Sequence, residues 1–331
     1  MKQWIRAVFA FLLALLCWET LLTFLNERTT GYTIDQTLGE VERPGVAVNG
    51  KEGFSVFRIN SDYCRGAEFD PRESVQHRVV VLGDSFTEAA QVDDKSVYVQ
   101  VALQKFVKDG LHNIQMINAG QSGKSPAYYL AFGKQWLDHL HSNFLVIQLN
   151  EGDFTANFYD PSVDVYVKRS GNEFTLQHSL QKQREFARRL PRSSVLIRLK
   201  AVLGEWSGER AARDRQEARP TAFLKETLWF MHEARRAFPH VAVVYIPRMY
   251  YHNLNTLSQL TPLEVSLERA AQAEGIPYIN VRPQYAQYFL ETHQPCHGFN
   301  NSIPGKGHIN GYGHRLLGEE LYKLISPLLK P

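Results

Sequence analysis

The sequence predicts an α/β protein, a three-layer α/β/α sandwich around a mostly parallel five-stranded sheet, with a transmembrane helix at the N-terminus. Three observations carry this reading. Short runs at 78–82, 114–117, 144–149, 241–246 and 277–281 are mostly apolar and do not alternate, as in strands buried on both faces. Helix-length segments separate most of them, and alternation of this kind makes a parallel sheet covered on both sides. Ahead of them stands 7–25, AVFAFLLALLCWETLLTFL, apolar apart from Glu19, Thr20 and Thr23.

As a helix, 7–25 is about 28 Å long, close to the hydrocarbon thickness of a bilayer. Lys2, Arg6 and the terminal amine precede it and only Arg28 follows closely. The positive-inside bias therefore predicts a single-pass anchor in the inner (cytoplasmic) membrane, N-terminus in, with the body periplasmic. A cleaved signal peptide is the main alternative, since Ala7–Trp18 has the length of its apolar core. No small-x-small cleavage pair follows, however, and Leu16 before Cys17 is too large for a lipoprotein signal. A buried core helix containing Glu19 is the third reading. Outside the cytoplasm, Cys64 and Cys296 could be oxidised to a disulfide; otherwise they are two small buried hydrophobes.

Composition narrows the function classes. With 37 basic and 34 acidic residues the formal charge is +3, and no long Lys/Arg run exists, so a nucleic-acid surface is excluded. At 44% hydrophobic and 12% aromatic the chain can build a core and is not disordered for most of its length. Three cysteines rule out a disulfide framework and a four-thiolate zinc site. There is no repeat at 20–50 residues.

In order, the body reads as follows. Residues 27–75 are turn-rich, with Gly31, Gly39, Pro44, Gly45, Gly50 and Gly53, and read as an extended lead-in to a domain at 76–331. After the strand at 78–82, a helix over 97–108 has Ser96 as its expected N-cap. The strand at 114–117 ends in Asn118-Ala119-Gly120-Gln121-Ser122-Gly123, and Ser125-Pro126 opens the next helix. Beyond 144–149 the alternation pauses. The charged stretch 154–220 reads as an insertion over one end of the sheet, its run Glu209–Arg219 as a solvated helical face. Alternation resumes with a helix at 222–237 and a strand at 241–246. Thr261-Pro262-Leu263-Glu264 has capping-box spacing and starts a helix ending near Gly275. A strand at 277–281 and a helix at 312–325 complete the chain.

Parallel sheets place their chemistry at the C-terminal ends of the strands. The first strand ends in Gly83-Asp84-Ser85, which exposes a serine for attack on a carbonyl but requires a base. His308, in the glycine-rich loop before the last helix, can reach that edge and act as the base. Gly120 and Gly123 follow the second strand, and Asn150-Glu151-Gly152-Asp153 the third. Glycine amides can approach an oxyanion, and the Asn150 amide can add a side-chain donor. His293, Cys296 and His297, with His308 and His314, are the other cluster of interest. Their spacing matches no compact zinc motif, and we expect neither a metal nor a cofactor.

In order and context these residues resemble the SGNH (GDSL-type) hydrolase superfamily over about 77–154 and 240–326. VVVLGDSFTE matches the first block, making Ser85 the nucleophile, whose own amide faces the oxyanion. INAGQSG matches the second, with Gly123 as the oxyanion-hole glycine. GHINGYGHRLLGEEL matches the fifth, with His308 as the catalytic histidine and His314 at a common second histidine. Two positions depart from the pattern. In LNEGDF, Gly152 stands where the third block has Asn, though Asp153 is retained. Gly305 and Lys306 stand where an Asp usually precedes the histidine. The resemblance therefore implies a serine acyl hydrolase working as a Ser–His dyad, or with a backbone carbonyl orienting the base. Its partners would be an acylated envelope carbohydrate or other ester, and the membrane. An O-acetyltransferase with the same chemistry and a catalytically weakened glycan-binding scaffold are the alternatives.

Overall fold

The computed structural model describes residues 2–25, 31–154, 158–161, 163–179 and 223–329. Helix α1 (Lys2–Leu25) is long and apolar enough to cross a membrane, and its span Gln3–Leu21 is not buried against the protein. Where an extended lead-in is expected, the chain instead folds into two antiparallel hairpins, β1 (Tyr32–Asp35) with β2 (Gly39–Glu42) and β3 (Gly45–Asn49) with β4 (Ser55–Ile59). The reason is local. Asp35 Oδ1 accepts from the amides of Thr37 (2.7 Å) and Leu38 (2.9 Å), closing the first turn. Along β4, Ser55, Phe57 and Ile59 are buried while Val56 and Arg58 face out, a period of two.

The body then runs β5 (His77–Leu82), the one-turn α2 (Ser85–Glu88), α3 (Tyr98–Lys108), β6 (Ile114–Asn118), α4 (Pro126–His139) and β7 (Phe144–Asn150). A hairpin of β8 (Val165–Ser170) and β9 (Glu173–His178) occupies the described part of the insertion; Glu209–Arg219 lies outside the described residues. There follow α5 (Phe223–Ala237), β10 (His240–Ile246), α6 (Pro262–Glu274), β11 (Tyr278–Asn280), α7 (Arg282–Thr292) and α8 (Gly311–Ile325).

The five central strands are all parallel, in the spatial order β6-β5-β7-β10-β11. This is the doubly wound order 2-1-3-4-5, whose switch point, where ligands bind, lies between the C-terminal ends of β5 and β7. Val79 to Leu82 are fully buried and alternate between two cores. Val80 and Leu82 pack with Trp136, Phe230, Phe238 and Leu267 on one face. Val79 and Val81 pack with Ala102, Phe106, Leu317 and Leu321 on the other. Burying each large side chain contributes roughly 1.5–3 kcal/mol, which is why these runs do not alternate.

Thr261 and Glu264 form the expected capping box, and Gly275 closes that helix at φ +62°. Ser96 does not cap α3. Residues Asp94–Ser96 wind into a 3-10 turn, and the buried Val97 sets the helix start one residue later. Cys64 and Cys296 are both free and buried, and they sit in the two cores on opposite faces of the sheet. They are too separated by the sheet to pair, and burial raises both thiol pKa values, that of Cys296 to about 12.

Candidate active site

Ser85 opens α2 at the tip of β5. The turn into it is tight: a Cβ on Gly83 would lie 2.0 Å from Thr87 Oγ1 and 2.5 Å from Gln148 Oε1. Asp84 caps α2, its Oδ1 accepting from Phe86 N at 2.9 Å. Thr87 Oγ1 bonds Gln148 Oε1 at 2.9 Å and Tyr98 Oη at 2.8 Å, tying the turn to β7 and α3.

His308 Nε2 lies 2.8 Å from Ser85 Oγ, and its ring packs on Phe86 with centroids 5.0 Å apart. Its Nδ1 is hydrogen-bonded to a carboxylate after all, that of Glu52 at the tip of the β3–β4 hairpin. An ionised carboxylate only accepts, so it fixes the proton on Nδ1 and leaves the Nε2 lone pair toward the serine hydroxyl. The same hydrogen bond holds the Glu52 carboxyl below the usual carboxylate range, against the opposing effect of partial burial. Gly307 (φ +82°) makes room: a Cβ there would sit 2.3 Å from Glu52 Oε1. The His308 ring is thus held between Ser85 and a side-chain carboxylate, where the sequence led us to expect a bare pair or a backbone carbonyl. Glu52 escaped sequence reading because it lies 256 residues from His308; the hairpin-forming glycines Gly50 and Gly53 were its only trace.

The loop after β6 is fastened beside this turn. Gln121 N donates to Gly83 O at 2.9 Å, Asn118 Nδ2 to Thr87 O at 2.7 Å, and Ser122 Oγ to the Glu88 carboxylate. Gly123 follows at φ +77° with open space where its side chain would be. Among the described residues no acceptor engages the amides of Ser85 or Gly123.

Asn150 has a different setting from the one expected of a substitute oxyanion donor. Its Oδ1 accepts from Gly152 N at 2.7 Å, and its Nδ2 donates to Asp84 Oδ2 at 2.8 Å. Asn150 thus closes the turn after β7 and bridges β7 to the residue that caps α2 at the tip of β5. Asp153 Oδ2 accepts from Asn150 N at 2.7 Å. Desolvation between the strand tips pushes the carboxyls of Asp84 and Asp153 up.

The remaining histidines do not join the site. His314 is buried, stacked on Tyr98 at 6.1 Å, and burial lowers its pKa to about 3. His297 is buried with Nδ1 3.1 Å from Tyr251 Oη, also with a pKa lowered to about 3. His293 ends α7 at φ +58°. Among the described residues no group of three or more His, Cys, Asp or Glu is placed to hold a metal ion.

No family model matches the chain, and no curated protein sequence does. In fold it is similar to solved structures of hydrolases, esterases and acylhydrolases. One is an alpha/beta hydrolase enzyme from the metagenome of Lake Arreo, Spain (13% identity, 78% of this chain and 98% of that one, TM-score 0.43). Another is the lipase/acylhydrolase from Enterococcus faecalis (15%, 77% and 98%, TM-score 0.43). A third is a two-domain esterase active on acetylated mannans (12%, 76% and 50%, TM-score 0.43), of which the chain spans half the length.

Proposed function

We propose that the protein is a serine esterase of the SGNH type. The observation that supports this best is the linked arrangement Glu52–His308–Ser85, with Nε2 2.8 Å from Oγ, at the sheet's switch point. In this mechanism Ser85 Oγ attacks the ester carbonyl carbon while its proton passes to His308 Nε2. The amides of Ser85 and Gly123 donate to the developing oxyanion. Collapse breaks the bond to the alcohol oxygen, which leaves with the proton from Nε2, and the acyl group stays on Oγ. Water then attacks the acyl-enzyme, His308 takes its proton and returns it to Ser85 Oγ as the acid departs. Glu52 keeps its negative charge throughout and stabilises the imidazolium.

The substrate class we propose is O-acyl groups of envelope glycans, handled outside the cytoplasm by a body anchored through α1. The extracytoplasmic placement is supported by the charge asymmetry around the apolar stretch and the span of α1; the glycan substrate follows from that placement taken with the resemblance of the sequence motifs. The expected outcome of a screen of short-chain aryl esters against the full chain in detergent is turnover that Ser85→Ala abolishes; turnover that survives the substitution would refute the assignment. A reporter fused after Pro331 should be active only in the periplasm, and cytoplasmic activity would refute the topology.

A further inference from the structure

The acid arrives at the site on a hairpin far from the base in sequence, and something must seat it. Glu52 itself adopts φ +54°, a conformation that costs a non-glycine residue free energy and persists only where its surroundings impose it. Its neighbours show what imposes it. Gly53 N donates to Asn301 Oδ1 at 2.6 Å, and Asn301 Nδ2 donates to Gly53 O at 3.0 Å and Gly50 O at 3.2 Å. One side-chain amide thus uses its acceptor and both hydrogens on the two glycines that bracket Lys51 and Glu52. Gly53 (φ +97°) is pressed from two sides: a Cβ there would lie 2.8 Å from the Phe299 ring of the same loop and 2.5 Å from Gln91 O, beyond α2. Asn301 stands seven residues before His308, so the loop that carries the base also grips the turn that carries the acid.

We propose that Asn301 is a positioning residue that latches Glu52 onto His308, an inference that rests on the esterase reading given above. Asn301 touches none of the reacting atoms. It acts by fixing the carboxylate against Nδ1, and so sets turnover rather than substrate binding.

The test is a double-mutant cycle on the full chain in detergent, with a short-chain aryl ester as substrate. Asn301→Ala should lower kcat by about tenfold or more with KM changed less than about twofold, and in a Glu52→Gln background it should change kcat by less than about twofold. Equal losses in both backgrounds, or wild-type kcat in Asn301→Ala, would overturn the latch. A second readout needs no turnover. The low-field proton resonance of His308 Nδ1–H, seen by NMR in 15N-histidine-labelled protein, should be present in the wild type and lost in Asn301→Ala. Its persistence overturns the latch even if the wild type cleaves no ester, a result that would fault the esterase reading instead. Asn301→Asp keeps the acceptor for Gly53 N and loses both donors, so it should fall between wild type and Asn301→Ala; a resonance and kcat equal to wild type would also count against the proposal.

Discussion

At His308 the tautomer is set by a carboxylate from the other end of the chain, and this makes Glu52 the most informative residue to change. Glu52→Gln keeps the shape but replaces an acceptor-only group with one that also donates, which disfavours the Nδ1–H tautomer. The expected loss is on the order of 10³-fold in kcat with KM little altered, measured by ester hydrolysis at saturating substrate. Asn150 behaves differently in this account. It joins Asp84 to the end of β7 and closes a turn, so Asn150→Ala should cost about 1–3 kcal/mol of stability by stripping a buried acceptor of its partner. Its kcat should fall less than about tenfold, whereas direct loss of an oxyanion donor costs roughly 100- to 1000-fold; the two readings separate in one kinetic measurement. Ser85 and His308 stand out in the sequence as candidates because glycine-flanked strand tips and loops announce themselves locally, and the structure brings the two within hydrogen-bond distance. Glu52 does not stand out, because its role exists only once the hairpin folds back.

At the scale of elements, the strands read well because their apolar runs answer to two cores at once. The start of α3 read one residue early, since the burial of Val97 outweighed the capping tendency of Ser96. Helix α7 has almost no signature in the sequence. RPQYAQYFLET buries Arg282, Tyr285 and Ala286 and carries no side-chain cap, so only Pro283 in its first turn marked it. The lead-in hairpins were equally hidden, as runs of four or five residues between glycines look like loops until they pair. Helix packing makes its own prediction at Gly318 of α8. A Cβ there would lie 2.6 Å from Val101 Cβ and 2.7 Å from Tyr98 O on α3. Gly→Ala inside a helix gains up to about 1 kcal/mol from propensity, but overpacking against backbone costs roughly 1–3. The clash wins, and Gly318→Ala should lower Tm by a few degrees; a raised Tm would show that α3 and α8 can part at no cost.

For the molecule as a whole, buried titratable groups set the pH range in which it stays folded. His297 and His314, nearly inaccessible, have pKa values lowered from 6.5 to about 3, so the unfolded chain binds more protons below pH 6.5. Their contribution is complete above pH 6.5 and is lost as the pH falls toward 3, by about 2 kcal/mol each at pH 5. The lowered carboxyl of Glu52 acts in the same direction, its contribution present above the ordinary carboxylate pKa and lost on acidification through its folded value. The raised carboxyls of Asp84 and Asp153 oppose it. Unfolding in urea at pH 7.5 and pH 5 should show lower stability at pH 5, and His314→Phe should remove about 2 kcal/mol of the difference; an unchanged difference would mean that His314 does not titrate on unfolding.

The triad of Ser85, His308 and Glu52 is the claim on which everything else stands, and covalent trapping tests it most directly. The full chain, treated in detergent with a fluorophosphonate and analysed by peptide mass spectrometry, should carry the adduct on Ser85. Labelling should slow by about 100-fold or more in Glu52→Gln. A folded wild type that never labels at Ser85, or one whose labelling rate Glu52→Gln leaves unchanged, would contradict the account.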